Sequence, residues 1–114
     1  MKKLTPSEIK FTIQLDENKL PVSIDWEATD SDEQGKKPCK SIILSIWDTN
    51  EKTAMRIDLW TKDMPVDEMK QFFHQTLLSM ADTFERATGE KAITGDLRDF
   101  CHHFAEKMEL TKKD

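Results

Sequence analysis

Few residues in this 114-residue chain have the type and spacing to bind a metal ion. Residues 30–35 begin like a calcium-binding EF-hand loop, with acids at its first and third positions and glycine at its sixth. The twelfth position is Ser41, where that loop needs a bidentate glutamate, and Lys36 and Lys37 would repel a cation. We therefore expect a solvated charged loop here.

The three histidines and two cysteines are the other candidate ligands and nucleophiles. Cys101, His102 and His103 are consecutive, so on a helix they point in three directions and do not chelate one metal. His74 and His103 together would supply two ligands, where zinc usually takes three or four. Cys39 follows a proline and has no histidine close in sequence, so nothing marks it as a nucleophile. We expect no catalytic residue, no cofactor and no metal.

Composition restricts the class of protein. The chain is long enough for one modest core, so we expect a single domain over residues 1–114. Its net charge of −5, with 34% charged residues, argues against nucleic acid as a partner. The sequence has no apolar stretch long enough to insert into a membrane and only two distant cysteines, so we expect a soluble, cytoplasmic protein with free thiols.

The first third of the chain has the pattern of a β-hairpin. Apolar residues alternate with polar ones over residues 9–15 and again over residues 22–28, which predicts two half-buried strands. A two-residue turn at residues 18–19 would join them, with its first residue at positive φ. This register pairs Leu15 with Val22.

A polar loop over residues 29–40 precedes a second predicted hairpin, formed by residues 42–47 and 55–60. Its turn is centred on residues 50–51 or on residues 51–52, and both choices place the same apolar side chains on one face. A helical turn also fits the spacing in the first of these strands, but its β-branched residues favour a strand.

The period then changes to that of helices. Apolar residues at spacings of three and four predict a helix over residues 64–88, capped by Asp63 and ended by Gly89. After a break near residues 94–95, a second amphipathic helix is predicted over residues 96–109.

Strands followed by helices predict an α+β fold. We expect the two hairpins to form a four-stranded antiparallel sheet over residues 8–61, with both helices packed on its inner face and a frayed tail over residues 111–114. The predicted core is Phe11, Ile13, Ile24, Trp26, Leu44, Ile46, Ile57, Leu59, Phe73, Leu77, Met80, Phe84, Leu97, Phe100 and Phe104.

The other face of the second hairpin carries more apolar surface than an exposed sheet face normally does. Trp47 has the parity opposite to Ile46, so it lies outside the inner core, on the face that also carries Ile43, Arg56 and Trp60. Arg56 stacked on Trp47 would explain the pair locally. A contact with a partner or a second copy would explain it functionally, since tryptophan and arginine concentrate at interfaces.

Residues 56–89, RIDLWTKDMPVDEMKQFFHQTLLSMADTFERATG, resemble the gliding motility protein GldC family, as do residues 97–110 and, more loosely, the first hairpin. The resemblance implies a small soluble accessory protein of the Bacteroidetes gliding machinery. It implies no active site. The resemblance implies a protein partner within the gliding machinery, and the gliding context suggests that this partner is membrane-associated.

The leading functional hypothesis is therefore a non-catalytic interaction protein that supports gliding motility. One alternative is an enzyme or small-ligand binder whose site assembles only in space. Another is a chaperone-like module for a secreted or membrane motility component. The partner is either a protein of the gliding machinery or a second copy of this chain, which would give a homodimer.

Overall fold

A computed structural model describes residues 3–110, and the predicted frayed tail lies outside these residues. Five strands precede two helices, which confirms the α+β order. The strands are β1 (Ile9–Leu15), β2 (Pro21–Ala28), β3 (Lys37–Cys39), β4 (Ser41–Trp47) and β5 (Ala54–Trp60), and the helices are α1 (Val66–Thr88) and α2 (Lys91–Lys107).

The strands form two antiparallel sheets, so the prediction of one four-stranded sheet is wrong. The first sheet has the order β1-β2-β3 and the second pairs β4 with β5. The additional strand, β3, lies in the segment predicted to be a loop, and its Cys39 pairs with Ile24 of β2. Three residues with a central proline are too short to show an alternating pattern, so the sequence carries no signal for this strand.

The first hairpin has the predicted pairing over most of its length. Ile13 lies opposite Ile24, but an irregularity between Gln14 and Leu15 places Leu15 opposite Pro21. The predicted pair of Leu15 with Val22 is therefore wrong. A β-bulge of this kind inserts one residue and shifts the register beyond it.

The turn of this hairpin explains the shift. The Lys19 N–H donates to the Asp16 carbonyl at 2.9 Å, and Lys19 adopts φ 65°. The Asp16 carboxylate also accepts from the N–H groups of Asn18 and Leu20, at 2.8 and 3.0 Å. This is a three-residue loop with a left-handed last residue, and it replaces the predicted two-residue turn.

The second hairpin confirms β4 as a strand and decides between the two turn positions. Leu44 pairs with Ile57 and Trp47 pairs with Ala54, so the turn is centred on residues 50–51. The Asp48 carboxylate accepts from the backbone N–H groups of Asn50 and Glu51, at 3.0 and 2.6 Å, which satisfies donors within the turn.

Backbone hydrogen bonds connect the residues after β5 to the link between β3 and β4 and to the start of β2. The Thr61 N–H donates to the Lys40 carbonyl at 2.8 Å, and the Lys62 N–H donates to the Pro21 carbonyl at 3.0 Å. The Lys62 ammonium lies 2.8 Å from the Asp16 carboxylate. The hydrogen bond from Lys62 is the largest cause that holds the pKa of Asp16 below its usual value, and the hydrogen bond from the Leu20 N–H is the second.

Helix α1 begins at Val66, with Pro65 as the N-cap. The predicted cap, Asp63, instead accepts a hydrogen bond from the Thr61 hydroxyl at 2.6 Å. The end of the helix is as predicted: Gly89 adopts φ 74° and its N–H donates to the carbonyl of Glu85.

Helix α2 begins at Lys91, so the predicted break near residues 94–95 is wrong. Thr94 is fully buried, and its hydroxyl donates to the Glu90 carbonyl at 2.6 Å. Because this bond satisfies the hydroxyl inside the helix, the threonine and the following glycine continue α2 instead of interrupting it.

The two helices pack against each other. The His74 and Phe104 rings are stacked with centroids 6.1 Å apart, and Arg98 pairs with Asp82 at 2.8 Å and Glu85 at 2.9 Å. Cys101 is completely buried. These contacts define the side of α1 that faces α2.

The strands lie in one compact unit, ending at residue 64, and the helices lie in a second that begins at residue 65. The single domain and the packing of the helices on the inner sheet face both stay predictions.

Of the predicted core, Ile24 is buried, with 1% of its surface exposed, whereas several other members are between 39% and 55% exposed. These are Phe11, Ile46, Ile57, Phe73, Met80, Phe84 and Phe100. Periodicity predicts which residues share a face and not whether that face is covered, so their assignment to the core stays a prediction, like the packing of the helices on the sheet.

Candidate functional site

The second hairpin brings the four predicted interface residues to one face. Side chains alternate along a strand, so Ile43 and Trp47 of β4 share a side, as do Arg56 and Trp60 of β5. The register places Trp47 opposite Ala54 and therefore puts both pairs on the same side of the hairpin. We call this surface of Ile43, Trp47, Arg56 and Trp60 the outer face.

Both tryptophans of the outer face are accessible. Trp47 is 67% exposed and Trp60 is 54% exposed. Trp47 lies at the turn end of the hairpin and Trp60 at the opposite end, about 20 Å away at the usual rise per residue. The outer face therefore offers two separated aromatic anchors instead of one continuous cluster.

An ion pair occupies the middle of the outer face. The Arg56 Nε donates to an Asp58 carboxylate oxygen at 3.1 Å, and both side chains project from the same side of β5. The guanidinium is thus engaged with its neighbour on the strand, which does not support the alternative that it stacks on Trp47. An exposed ion pair of this kind contributes little to stability but gives the face polarity at its centre.

Trp60 also borders a cavity that sequence reasoning missed. The cavity has a volume of about 320 Å³ and is lined by Trp60, Leu59, Leu20, Pro21 and two charged residues. The turn between β1 and β2 supplies one wall, some forty positions away in sequence. No local pattern connects the two segments, so the sequence offers no signal for this concavity.

The remaining candidates for chemistry are placed in settings that do not activate them. Burial raises the pKa of the Cys101 thiol, and burial is also the largest cause that raises the pKa of Cys39. A higher pKa keeps each sulfur in its less nucleophilic, protonated form. Among residues 3–110, no three His, Cys, Asp or Glu side chains are grouped to hold a metal ion.

His74 lies in a polar concavity of about 530 Å³, where the start of α1 approaches the end of α2. Asp67, Lys70 and Glu109 also line it. The stacked Phe104 ring covers one side of the imidazole. The His103 ring instead lies beside Phe100, with the ring centroids 6.2 Å apart.

The loop that resembles the start of an EF-hand holds a lysine. The Lys37 ammonium donates to the Ser31 hydroxyl at 2.6 Å and to the Glu33 carbonyl at 2.9 Å. It also lies 4.5 Å from the centre of the Trp26 ring. The ammonium thus takes up oxygen atoms that a cation would need.

In the part of the chain that the structure describes, no helix has the length and apolar character to cross a bilayer.

Fold and surface define the class: a small α+β protein with a five-stranded β unit, a C-terminal helical hairpin and an exposed tryptophan-bearing face. Residues 21–110 match the model of a family described as gliding motility-associated protein GldC-like, and the chain belongs to that family. The match confirms the resemblance seen in the sequence, and it describes a motility-associated family, not a known enzyme family. Comparison with curated proteins and with solved structures finds no match.

Proposed function

We propose that this protein is a non-catalytic interaction module of gliding motility and that it binds a protein partner through the outer face. The observation that supports this most is the exposure of two tryptophans, at 67% and 54%, on one side of a two-stranded hairpin. Tryptophan and arginine are the residues most enriched among those that dominate binding energy.

The arrangement of the outer face gives each part a role in binding. Covering the exposed part of Trp47 would remove up to about 170 Å² from water, worth at most about 4 kcal/mol before the costs of association. The Arg56–Asp58 pair between the anchors favours a partner with matching polar groups, which sets the orientation more than the affinity.

The hairpin suits such a role because its shape does not depend on the partner. Asp48 closes the turn through its carboxylate, and Ser41 donates from its hydroxyl to the Leu59 carbonyl at 3.2 Å. A preformed surface loses less conformational entropy on binding than a disordered one.

The test is Trp47→Ser in a tagged chain, with capture from gliding cells and mass spectrometry of what is retained. We expect stability within about 1 kcal/mol of the parent, as is usual for exposed positions, together with loss of a partner that the parent retains. Ile9→Ser is the matched control, because Ile9 is also 67% exposed but lies on β1. It should retain the partner.

Equal capture by the Trp47→Ser variant and the parent would contradict the proposed surface. Unfolding of that variant would also contradict it, because Trp47 would then belong to the core. If the Ile9→Ser variant also loses the partner, capture depends on exposed apolar side chains in general and not on the outer face.

A chaperone-like role for a motility component is the second candidate. It is favoured by the apolar side chains that α1 exposes, with Phe73 and Phe84 each at 43% and Met80 at 55%. The two functions differ in what they bind. A docking module binds one folded partner at a fixed ratio, whereas a chaperone delays aggregation of an unfolded client, which light scattering measures.

A further inference from the structure

Strand β5 has one edge bonded to β4 and one edge free. At the turn end of the hairpin the Asp48 N–H donates to the Thr53 carbonyl at 2.9 Å, and at the other end the Thr61 N–H donates to the Lys40 carbonyl at 2.8 Å. Because the bonding residues alternate along an antiparallel ladder, the odd-numbered residues of β5 bond to β4. The even-numbered residues direct their N–H and C=O groups to the opposite edge, and they are Ala54, Arg56, Asp58 and Trp60.

This opposite edge is uncovered along β5 in the part of the chain that the structure describes. The first sheet meets the edge at Lys62, two residues beyond Trp60, where the Lys62 N–H donates to the Pro21 carbonyl at 3.0 Å. Within residues 3–110, the edge-facing backbone groups of residues 54–60 have no hydrogen-bond partner. Six of the seven residues of β5 are exposed. The edge is therefore a row of accessible donors and acceptors, which another β-strand would satisfy.

The first sheet protects its edges in ways that β5 does not. Its edge strand β1 carries Lys10 and an irregularity between Gln14 and Leu15, and β3 has only three residues with a central proline. Lysine, bulges, proline and short length all discourage the pairing of an edge with another chain. Strand β5 has seven residues in regular register, with no lysine and no proline.

In one antiparallel register, β5 matches a second copy of itself in charge. The edge-facing groups belong to even-numbered residues, so a second β5 must pair even with even. With Ile57 opposite Ile57 of the second copy, Arg56 of each copy lies opposite Asp58 of the other. Opposite charges at facing positions stabilise a pair of strands. Together with the Arg56–Asp58 pair inside each strand, at 3.1 Å, they form a ring of alternating charges.

The neighbouring registers are unfavourable. Moving the second copy by two residues in one direction places the two copies of Arg56 opposite each other, and moving it in the other direction does the same for Asp58. Like charges at facing positions destabilise a pair of strands. The preference for one register therefore comes from these two charges and their placement around Ile57, and a strand without them would fit equally well in several registers.

Side-chain size agrees with the same register. Trp60 lies opposite Ala54 of the second copy, so the largest residue of the strand faces the smallest. The cavity of about 320 Å³ beside Trp60, bordered by the turn of the first hairpin, leaves room at this end of the edge. On the other side of the sheet, Met55 lies opposite Leu59 of the second copy, so apolar side chains face each other.

We propose that the free edge of β5 pairs antiparallel with β5 of a second copy, around a two-fold axis at Ile57, and joins the two hairpins into a four-stranded sheet. A two-fold contact uses the same patch on both chains, which this register satisfies. Facing residues of paired strands project to the same side, so the two outer faces lie side by side on the joined sheet. The contact uses the strand edge and goes beyond the proposed binding of a gliding partner.

Backbone hydrogen bonds provide most of the affinity of this contact. Residue 54 faces residue 60 and residue 56 faces residue 58, in both directions, and each facing pair exchanges two hydrogen bonds. When a strand is added to a sheet edge, the main chain supplies affinity and the side chains supply specificity. Contact along one strand buries less area than a standard interface, so we expect a dimer that dissociates on dilution.

Exchange of the two charges tests the register, with sedimentation equilibrium of the full chain as the measurement. Arg56→Glu places carboxylates opposite each other, and Asp58→Arg does the same with guanidinium groups. Each variant alone should self-associate roughly tenfold more weakly than the parent. A one-to-one mixture should associate within about threefold of the parent, because the introduced carboxylate then faces the introduced guanidinium.

Three results would overturn the proposal. One is self-association of either single variant as tight as that of the parent. Another is a mixture that associates no more tightly than the single variants, since the charges would then not face each other. The third is a parent chain that stays monomeric at about 1 mM, which would leave the edge to a strand of another protein.

Disulfide trapping tests the position of the axis without changing a charge, in a chain whose Cys39 is replaced by serine and whose Cys101 stays buried. Residue 57 faces its own copy in a non-hydrogen-bonded pair, with Cα atoms about 4.5 Å apart, within the range for a disulfide. Ile57→Cys should therefore cross-link with itself rapidly under mild oxidation.

Met55→Cys is the matched control for Ile57→Cys. The two side chains lie on the same side of β5 and are 58% and 49% exposed. Residue 55 lies about 14 Å along the strand from its own copy in the proposed register, so Met55→Cys should cross-link roughly tenfold more slowly. Equal or faster linking of Met55→Cys would place the axis elsewhere or make the strands parallel, and the proposal would fail.

Discussion

The two hairpins of this protein are built on the same pattern and have different surroundings. The first is extended by β3 into a three-stranded sheet, and its Ile24 is 1% exposed. The second remains two-stranded, and Ile46 on its apolar face is 47% exposed. Alternation alone predicts both isoleucines to be core. Ile42, on the apolar face of the second hairpin, is only 9% exposed, so burial differs along one face as well as between the hairpins, and the alternating pattern alone does not set it.

The tryptophans of the two hairpins show the same contrast. Trp26 of β2 lies opposite Phe11 and has the Lys37 ammonium 4.5 Å from its ring centre. Trp47 of β4 lies opposite an alanine and is 67% exposed. The first tryptophan is accounted for by contacts within the chain, which leaves the second as the better candidate for a contact with another molecule.

The largest expected effect separates the two isoleucines. Ile24→Ala removes a fully buried side chain and should cost about 2–5 kcal/mol of unfolding free energy, because it leaves a cavity. Ile46→Ala, at a half-exposed position, should cost less than about 1 kcal/mol. Urea denaturation measures both. Equal losses would mean that the second hairpin is covered as completely as the first.

An intermediate effect is expected at Lys37. Lys37→Ala removes the ammonium from above Trp26 and its hydrogen bonds to the preceding loop, and it should cost about 0.5–1 kcal/mol. Lys36→Ala is the matched control, since Lys36 is adjacent and exposed. If both variants unfold at the same urea concentration, the cation does not stabilise the first sheet.

The smallest expected effect concerns the connection between the hairpins. Because Lys62 is the largest cause that lowers the pKa of Asp16, the carboxylate stabilises the fold at pH values above the unfolded-state pKa, close to 3.8. This stabilisation is lost as the pH falls through the lower, folded-state pKa. In Lys62→Met, the pKa of Asp16 measured by NMR should move up towards 3.8.

The matching stability measurement compares acid unfolding of Lys62→Met with that of the parent. The variant should lose less stability between neutral pH and pH 2, because its folded and unfolded states then have closer Asp16 pKa values. An unchanged Asp16 pKa would show that the turn hydrogen bonds, not Lys62, are the larger cause.

Prediction from the sequence succeeded where the signal was local and periodic. Strands β1, β2, β4 and β5, both helices and the Gly89 cap follow from alternation, helical spacing and a residue that tolerates a left-handed backbone. It failed at β3 and at the start of α2. There, a short strand depended on its neighbour for pairing, and Thr94 gained a hydrogen bond within the helix.

For the candidate site, the sequence by itself determined which side chains share a face. The opposite parity of Trp47 and Ile46 follows from the two-residue repeat of a strand, and it holds whatever the strand packs against. This parity needs no tertiary information, because the backbone geometry of a strand sets it. The family assignment likewise follows from the order of residues alone.

Only the tertiary structure decided how far each face is covered and what lies beside it. The cavity next to Trp60, the Lys62–Asp16 pair and the lysine above Trp26 all join segments that are separated along the chain. Such contacts depend on the bulge, the third strand and the turn geometry, which together set distances that no local pattern contains. Exposure is a property of what packs nearby, so it follows from the fold and not from the residue type.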